Sequence, residues 1–90
     1  MAETTLTDNG AFTQGNFPAF SAAVRITGDF GTGTATISVT QGATGTALTL
    51  DTATTTYAQE CVVGVGNTIA VTLTGATAPD LDIQIIPLRS

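Results

Sequence analysis

Thr34-Ala35-Thr36-Ile37-Ser38-Val39-Thr40 alternates polar and aliphatic side chains without a break. In an extended chain successive side chains point to opposite faces, so this heptapeptide places Ala35, Ile37 and Val39 on one face and four hydroxyls on the other. The stretch is a half-buried β-strand, and its neighbours repeat the pattern. Upstream, Phe20, Ala22, Val24 and Ile26 share a face opposed by Ser21, Ala23, Arg25 and Thr27. Downstream, Ile69, Val71 and Leu73 alternate with Thr68, Ala70, Thr72 and Thr74, and Leu81, Ile83 and Ile85 carry the last strand. Pro87 is expected to close it, because proline cannot continue a central ladder.

Glycine-rich segments separate these runs: Gly28 to Gly33, Gln41 to Gly45, Gly64 to Asn67 and Gly75 to Asp80. They supply the positive φ angles that tight turns require. A short strand is expected at Leu48–Leu50, ending near Asp51, and a longer, less regular one over Thr54–Val63. Nothing alternates with the helical period. Six strands after residue 20, with a seventh around Thr4–Thr7 and turns roughly every 8–12 residues, predict an all-β chain. The expected form is a single small antiparallel β-sandwich, Greek-key or jelly-roll-like. Threonine is β-branched and favours extended backbone, so the 20 Thr have a structural explanation before any functional one.

The inventory of 90 residues excludes more than it offers. There is no His, Lys or Trp, only 2 Arg and 1 Cys, and a net charge of −5. Without histidine or lysine the usual acid–base and nucleophilic mechanisms lack their participants, so no enzyme and no catalytic residue is expected. Two arginines cannot form a phosphate-binding groove, which argues against nucleic acid, and the acidic balance argues against an anionic membrane. A chain this short buries a thin core. One cysteine cannot form an internal disulfide, and no Cys/His set is available for zinc, so oligomerisation is the remaining way to add burial.

Several short matches dissolve on inspection. Asp29-Phe30-Gly31 spells a kinase metal-binding tripeptide but has no catalytic loop or lysine beside it, and reads as a β-turn. Gly64-Val65-Gly66 lacks the helix and third glycine of a dinucleotide fingerprint. Asp80, Asp82 and Asp51 do not form a dense calcium loop and read as solvated edge charges. Cys61, with no cation to lower its pKa, reads as a small buried hydrophobe. The Thr-x-Thr pairs lack the constant repeat of an ice-binding array. No metal or cofactor is expected. Met1-Ala2-Glu3-Thr4-Thr5 is not a secretory signal, and no apolar run is long enough to span a bilayer, so synthesis and assembly in a cytoplasm are expected.

Residues 1–20 stand apart from the sandwich expected over 21–90. Asn9-Gly10, Gln14-Gly15-Asn16 and Pro18 break any period, while Phe12, Phe17 and Phe20 are three of the chain's 4 phenylalanines. The segment reads as an extended N-terminal arm or loop. Three exposed phenylalanines would form an apolar patch, so they either fold back over their own domain or reach a neighbouring surface.

Ile69-Ala70-Val71-Thr72-Leu73-Thr74-Gly75-Ala76-Thr77-Ala78-Pro79-Asp80-Leu81-Asp82-Ile83-Gln84-Ile85 resembles the closing hairpin of small bacteriophage virion proteins of the capsid-decoration or auxiliary type. Ile26-Thr27-Gly28-Asp29-Phe30-Gly31-Thr32-Gly33-Thr34-Ala35-Thr36-Ile37 resembles their strand, glycine turn and second strand, and Thr46–Leu50 the short third element. The resemblance covers roughly residues 20–86, and the chain departs from it in having no Trp and only Tyr57 in its middle. It implies a non-enzymatic virion structural protein, decorating and stabilising the outer surface of the head. Implied partners are the major capsid protein or another virion protein, and further copies of the chain, with a trimer one option. Assembly tips the expectation for Phe12, Phe17, Pro18 and Phe20 toward an interface between subunits or with the capsid. The alternative is an adhesin-like or carbohydrate-binding β-sandwich module from a larger surface protein.

Overall fold

The computed structural model describes residues 2–42 and 45–89, so part of the turn expected at Gln41–Gly45 lies outside the described residues. Among the described residues there are eight antiparallel strands and no helix: β1 (Ala2–Leu6), β2 (Gly10–Gln14), β3 (Ser21–Asp29), β4 (Thr34–Thr40), β5 (Ala47–Ala53), β6 (Tyr57–Val62), β7 (Thr68–Thr74) and β8 (Asp80–Arg89). They form two four-stranded sheets, ordered β1-β8-β3-β6 and β2-β7-β4-β5.

The pairing is nested. β4 and β5 form the innermost hairpin, β3 pairs with β6 around it, β2 with β7, and β1 with β8 outermost. Two further pairings, β3 with β8 and β4 with β7, bring the halves of that long hairpin together side by side. The chain changes sheet at every connection except β4–β5.

The alternation that marked the central strands decides which faces are buried. Ala22, Val24 and Ile26 of β3, Ala35 and Ile37 of β4, Ile69, Val71 and Leu73 of β7, and Leu81, Ile83 and Ile85 of β8 are all buried in one cluster fed by both sheets. At roughly 1.5–3 kcal/mol for each large aliphatic removed from water, this cluster is the main stabilising contribution. The opposite faces carry the hydroxyls: Thr34, Thr36 and Thr40 of β4 stand directly opposite Thr74, Thr72 and Thr68 of β7.

Several expectations are corrected. Residues 1–20 are not an extended arm, because β1 and β2 are edge strands, one in each sheet. The strands number eight rather than six or seven. The strand expected at Thr4–Thr7 is Ala2–Leu6, the one at Leu48–Leu50 is Ala47–Ala53, and the one at Thr54–Val63 is Tyr57–Val62. β8 runs on past Pro87, whose missing N–H is tolerated because Ala22 faces Pro87 at a register shift, where Ser21 already faces Arg89. Phe20 does not join the buried face of β3. The strand starts at Ser21, and the Phe20 carbonyl accepts hydrogen bonds from the amides of Val63 (2.9 Å) and Gly64 (2.8 Å) instead.

Candidate assembly surfaces

The two ends of the molecule are built from different chemistry. One end gathers the β1–β2, β3–β4 and β7–β8 connections. There Asn9 behaves like a strand residue turned sideways: its amide donates to the Ala76 carbonyl (3.0 Å) and its Oδ1 accepts from the Ala76 N–H (2.9 Å). The Thr77 amide donates to the Gly31 carbonyl (2.8 Å), and Gly31 holds φ +58° with the Thr77 carbonyl packed where a Cβ would stand. Asp8, Asp29 and Asp80 sit at this end, all exposed.

The opposite end gathers the β2–β3, β4–β5 and β6–β7 connections, and Asn67 ties them together. Its amide donates to the Val63 carbonyl (2.8 Å), its Oδ1 accepts from the Gly42 N–H (3.0 Å), and its backbone carbonyl accepts from the Phe17 N–H (2.9 Å). The Gly66 amide returns a bond to the Phe17 carbonyl (2.9 Å). Residues 14–21, 41–42, 45–50 and 61–70, which lie at this end, contain no Asp, Glu, Lys or Arg, and the end of β8 adds Arg89 opposite Ser21.

The four residues expected to form an assembly surface do not lie together on the exterior. Phe17 is wholly buried, plugging the core from the Asn67 end, and Phe12 on β2 is partly buried against the same core. Pro18 and Phe20 are exposed, Phe20 to 52%. Apolar surface appears instead at positions that alternation does not single out. Leu48, Leu50, Val62 and Val65 are exposed, the first at 65%. Leu48 and Leu50 face Val62 and Val63 across a groove of about 380 Å³ between the free edges of the two sheets, and Val62 adjoins Phe20 in a second hollow. The Leu-x-Leu alternation marked a strand. That β5 and β6 are edges follows only from the topology.

The outer face of β1-β8-β3 carries a polar hollow of about 440 Å³. Gln84 at its centre donates to Glu3 (3.1 Å) and accepts from Arg25 (3.5 Å), while Thr5 donates to Asp82 (2.9 Å). The outer face of the other sheet differs: its alternate positions on β2, β4 and β7 are Thr, Ser and Ala, with no ionisable group.

Two titratable groups are perturbed. Burial, a hydrogen bond from Tyr57 Oη to Asp51 (3.0 Å) and that carboxylate's charge push the Tyr57 phenol up to about 12. Burial, seconded by Glu60, pushes the half-buried Cys61 thiol up, which leaves it protonated and poorly nucleophilic at neutral pH. Among the described residues no three His, Cys, Asp or Glu side chains come together as metal ligands, and no helix is long and apolar enough to cross a membrane. No family model, curated protein or solved structure matches this chain.

Proposed function

We propose that this chain is a non-enzymatic structural protein of a bacteriophage virion, a decoration protein bound to the outer surface of the head as a homo-oligomer. The observation that carries the reading is the strand order. A long hairpin with pairs β1·β8, β2·β7, β3·β6 and β4·β5, folded so that its sheets read β1-β8-β3-β6 and β2-β7-β4-β5, supports reading the sandwich as a jelly roll. That architecture recurs in viral capsid and lectin domains, and the support it gives is by analogy of fold.

The surface chemistry supports the same reading. The hydroxyl-rich outer face of β2-β7-β4 lies against the capsid protein, where an uncharged sheet face forms contacts without desolvating ions. The polar hollow and the acidic end then face solvent. With no His or Lys, and with Cys61 held protonated, the described side chains offer no acid–base or nucleophilic pair.

Mass spectrometry of purified particles is expected to find the chain in the virion. Recombinant protein is expected to co-sediment with purified heads, and the paired change Thr36→Lys with Thr72→Lys, adjacent across β4 and β7, to abolish it. Absence from particles overturns the proposal. The second reading, a carbohydrate-binding module, rests on the polar hollow around Gln84 and Arg25, whose amide, carboxylate and guanidinium groups suit sugar hydroxyls. Glycan-array binding that is lost in Arg25→Ala would establish it in place of the first.

A further inference from the structure

We infer that two copies of this chain associate through the end that carries the β2–β3, β4–β5 and β6–β7 connections, with Phe20, Leu48 and Val62 at the centre of the contact. The inference stands on surface chemistry alone and holds whether or not the chain belongs to a virion.

Three observations converge. First, five of the six large exposed apolar side chains among the described residues are grouped: Leu48, Leu50 and Val62 line one groove, Val62 and Phe20 the next, and Val65 sits in the adjoining loop, while Leu88 on β8 lines neither. Second, the only ionisable carboxylate or cation among the described residues lining either groove is Glu60. Third, Asp8, Asp29 and Asp80 sit at the far end of a molecule 35 Å long. Two copies that each carry −5 repel one another, and joining the ends that carry the apolar grooves holds Asp8, Asp29 and Asp80 of the two copies apart by far more than a Debye length of about 8 Å. A second copy is therefore the occupant whose charge arrangement fits this surface.

The area sets the strength. With roughly 60–120 Å² for burying a Val or Leu and about 200 Å² for a Phe, the exposed fractions of these five residues give about 300 Å² of apolar surface per copy. Two copies with a polar rim then bury on the order of 1,000 Å² in all, at the lower limit for a specific interface. The pair is a weak, reversible dimer of isologous contacts.

Sedimentation equilibrium over a dilution series from about 1 mM to about 1 μM tests this. The mass is expected to fall from about twice 9.0 kDa to 9.0 kDa on dilution. Leu48→Thr with Val62→Thr, both largely solvent-exposed and so neutral to the fold, is expected to give the single-chain mass throughout, with an unchanged melting temperature. Phe20→Ser alone is expected to shift the midpoint at least tenfold toward higher concentration. A single chain at every concentration overturns the inference, as does a three-chain mass or an association that survives both variants. Head binding is read separately, so either proposal can fail while the other stands.

Discussion

Phe17 and Phe20 lie three residues apart in a connection without regular structure, yet one is wholly buried and the other 52% exposed. Truncating each to alanine should therefore give very different losses. For Phe17 the transfer contribution of a buried aromatic is roughly 1.5–3 kcal/mol, and a residual cavity on the order of 80–100 Å³ adds about 2 kcal/mol, for a total of roughly 3–5 kcal/mol. The backbone bonds from Phe17 N–H to Asn67 and from Gly66 N–H to Phe17 survive the change, so side-chain burial alone is measured. For Phe20 half the transfer contribution and no cavity leave about 1 kcal/mol. A domain of this length has roughly 5–13 kcal/mol in total, so Phe17→Ala should remove at least about a quarter of it. Urea denaturation followed by circular dichroism, with Phe17→Leu as an intermediate step, reads the series. A loss of about 1 kcal/mol or less for Phe17→Ala, or one equal to that of Phe20→Ala, would refute the placement of Phe17 as the plug of the core.

Asn67→Ala removes the side-chain bonds to Gly42 and Val63 together and should cost about 2 kcal/mol, seen as a lowered urea midpoint. Gly31→Ala and Gly42→Ala both place a Cβ at positive φ, but only the first drives it into backbone, the Thr77 carbonyl. Gly31→Ala is thus expected to lose more than about 3 kcal/mol, against about 1–2 kcal/mol for Gly42→Ala. Tyr57, the single tyrosine, should ionise near pH 12 in absorbance titrations of the native protein, while the unfolded chain ionises near pH 10. Because the folded value is the higher, the corresponding stability is complete below pH 10 and is lost as the pH rises from there toward 12. Asp51→Asn should bring the native value down part of the way, since burial is the larger cause and remains.

The strands that the alternation revealed are those with a neighbour on each side. β3, β4, β7 and β8 each bury one face, so their apolar residues recur at every second position, and the buried set at Ala22, Ile37, Val71 and Ile83 was legible from spacing alone. Edge strands escape that logic. Every position of β5 from Ala47 to Thr52 is exposed, so no burial period separates its faces, and in β2 the two partly covered positions, Phe12 and Gln14, alternate but pair an apolar with a polar side chain. Phe17 was illegible for a different reason: a loop side chain that turns inward to seal a core has no periodicity to announce it. The candidate surface was half legible. Phe20 and Pro18 are exposed, but Leu48 and Val62 join Phe20 only because β5 and β6 flank the same open side, a relation that sequence-distant pairing creates.

The nested pairing also sets an order of events in time. Only the β4–β5 hairpin joins neighbouring segments of chain, whereas Ala2 of β1 waits for Ile85 of β8. Topologies dominated by such distant partners fold in milliseconds to seconds rather than microseconds, because loop closure must precede the contacts that reward it. During synthesis the consequence is sharper. β1 leaves the ribosome long before its partner exists, and the central place in its sheet, between β1 and β3, stays empty until Asp80–Arg89 emerges. Each nascent chain therefore carries two unpaired strand edges and a half-covered apolar face for most of its translation. The nascent chain is most exposed to aggregation in that interval, and removing β8 removes the strand that closes the sheet.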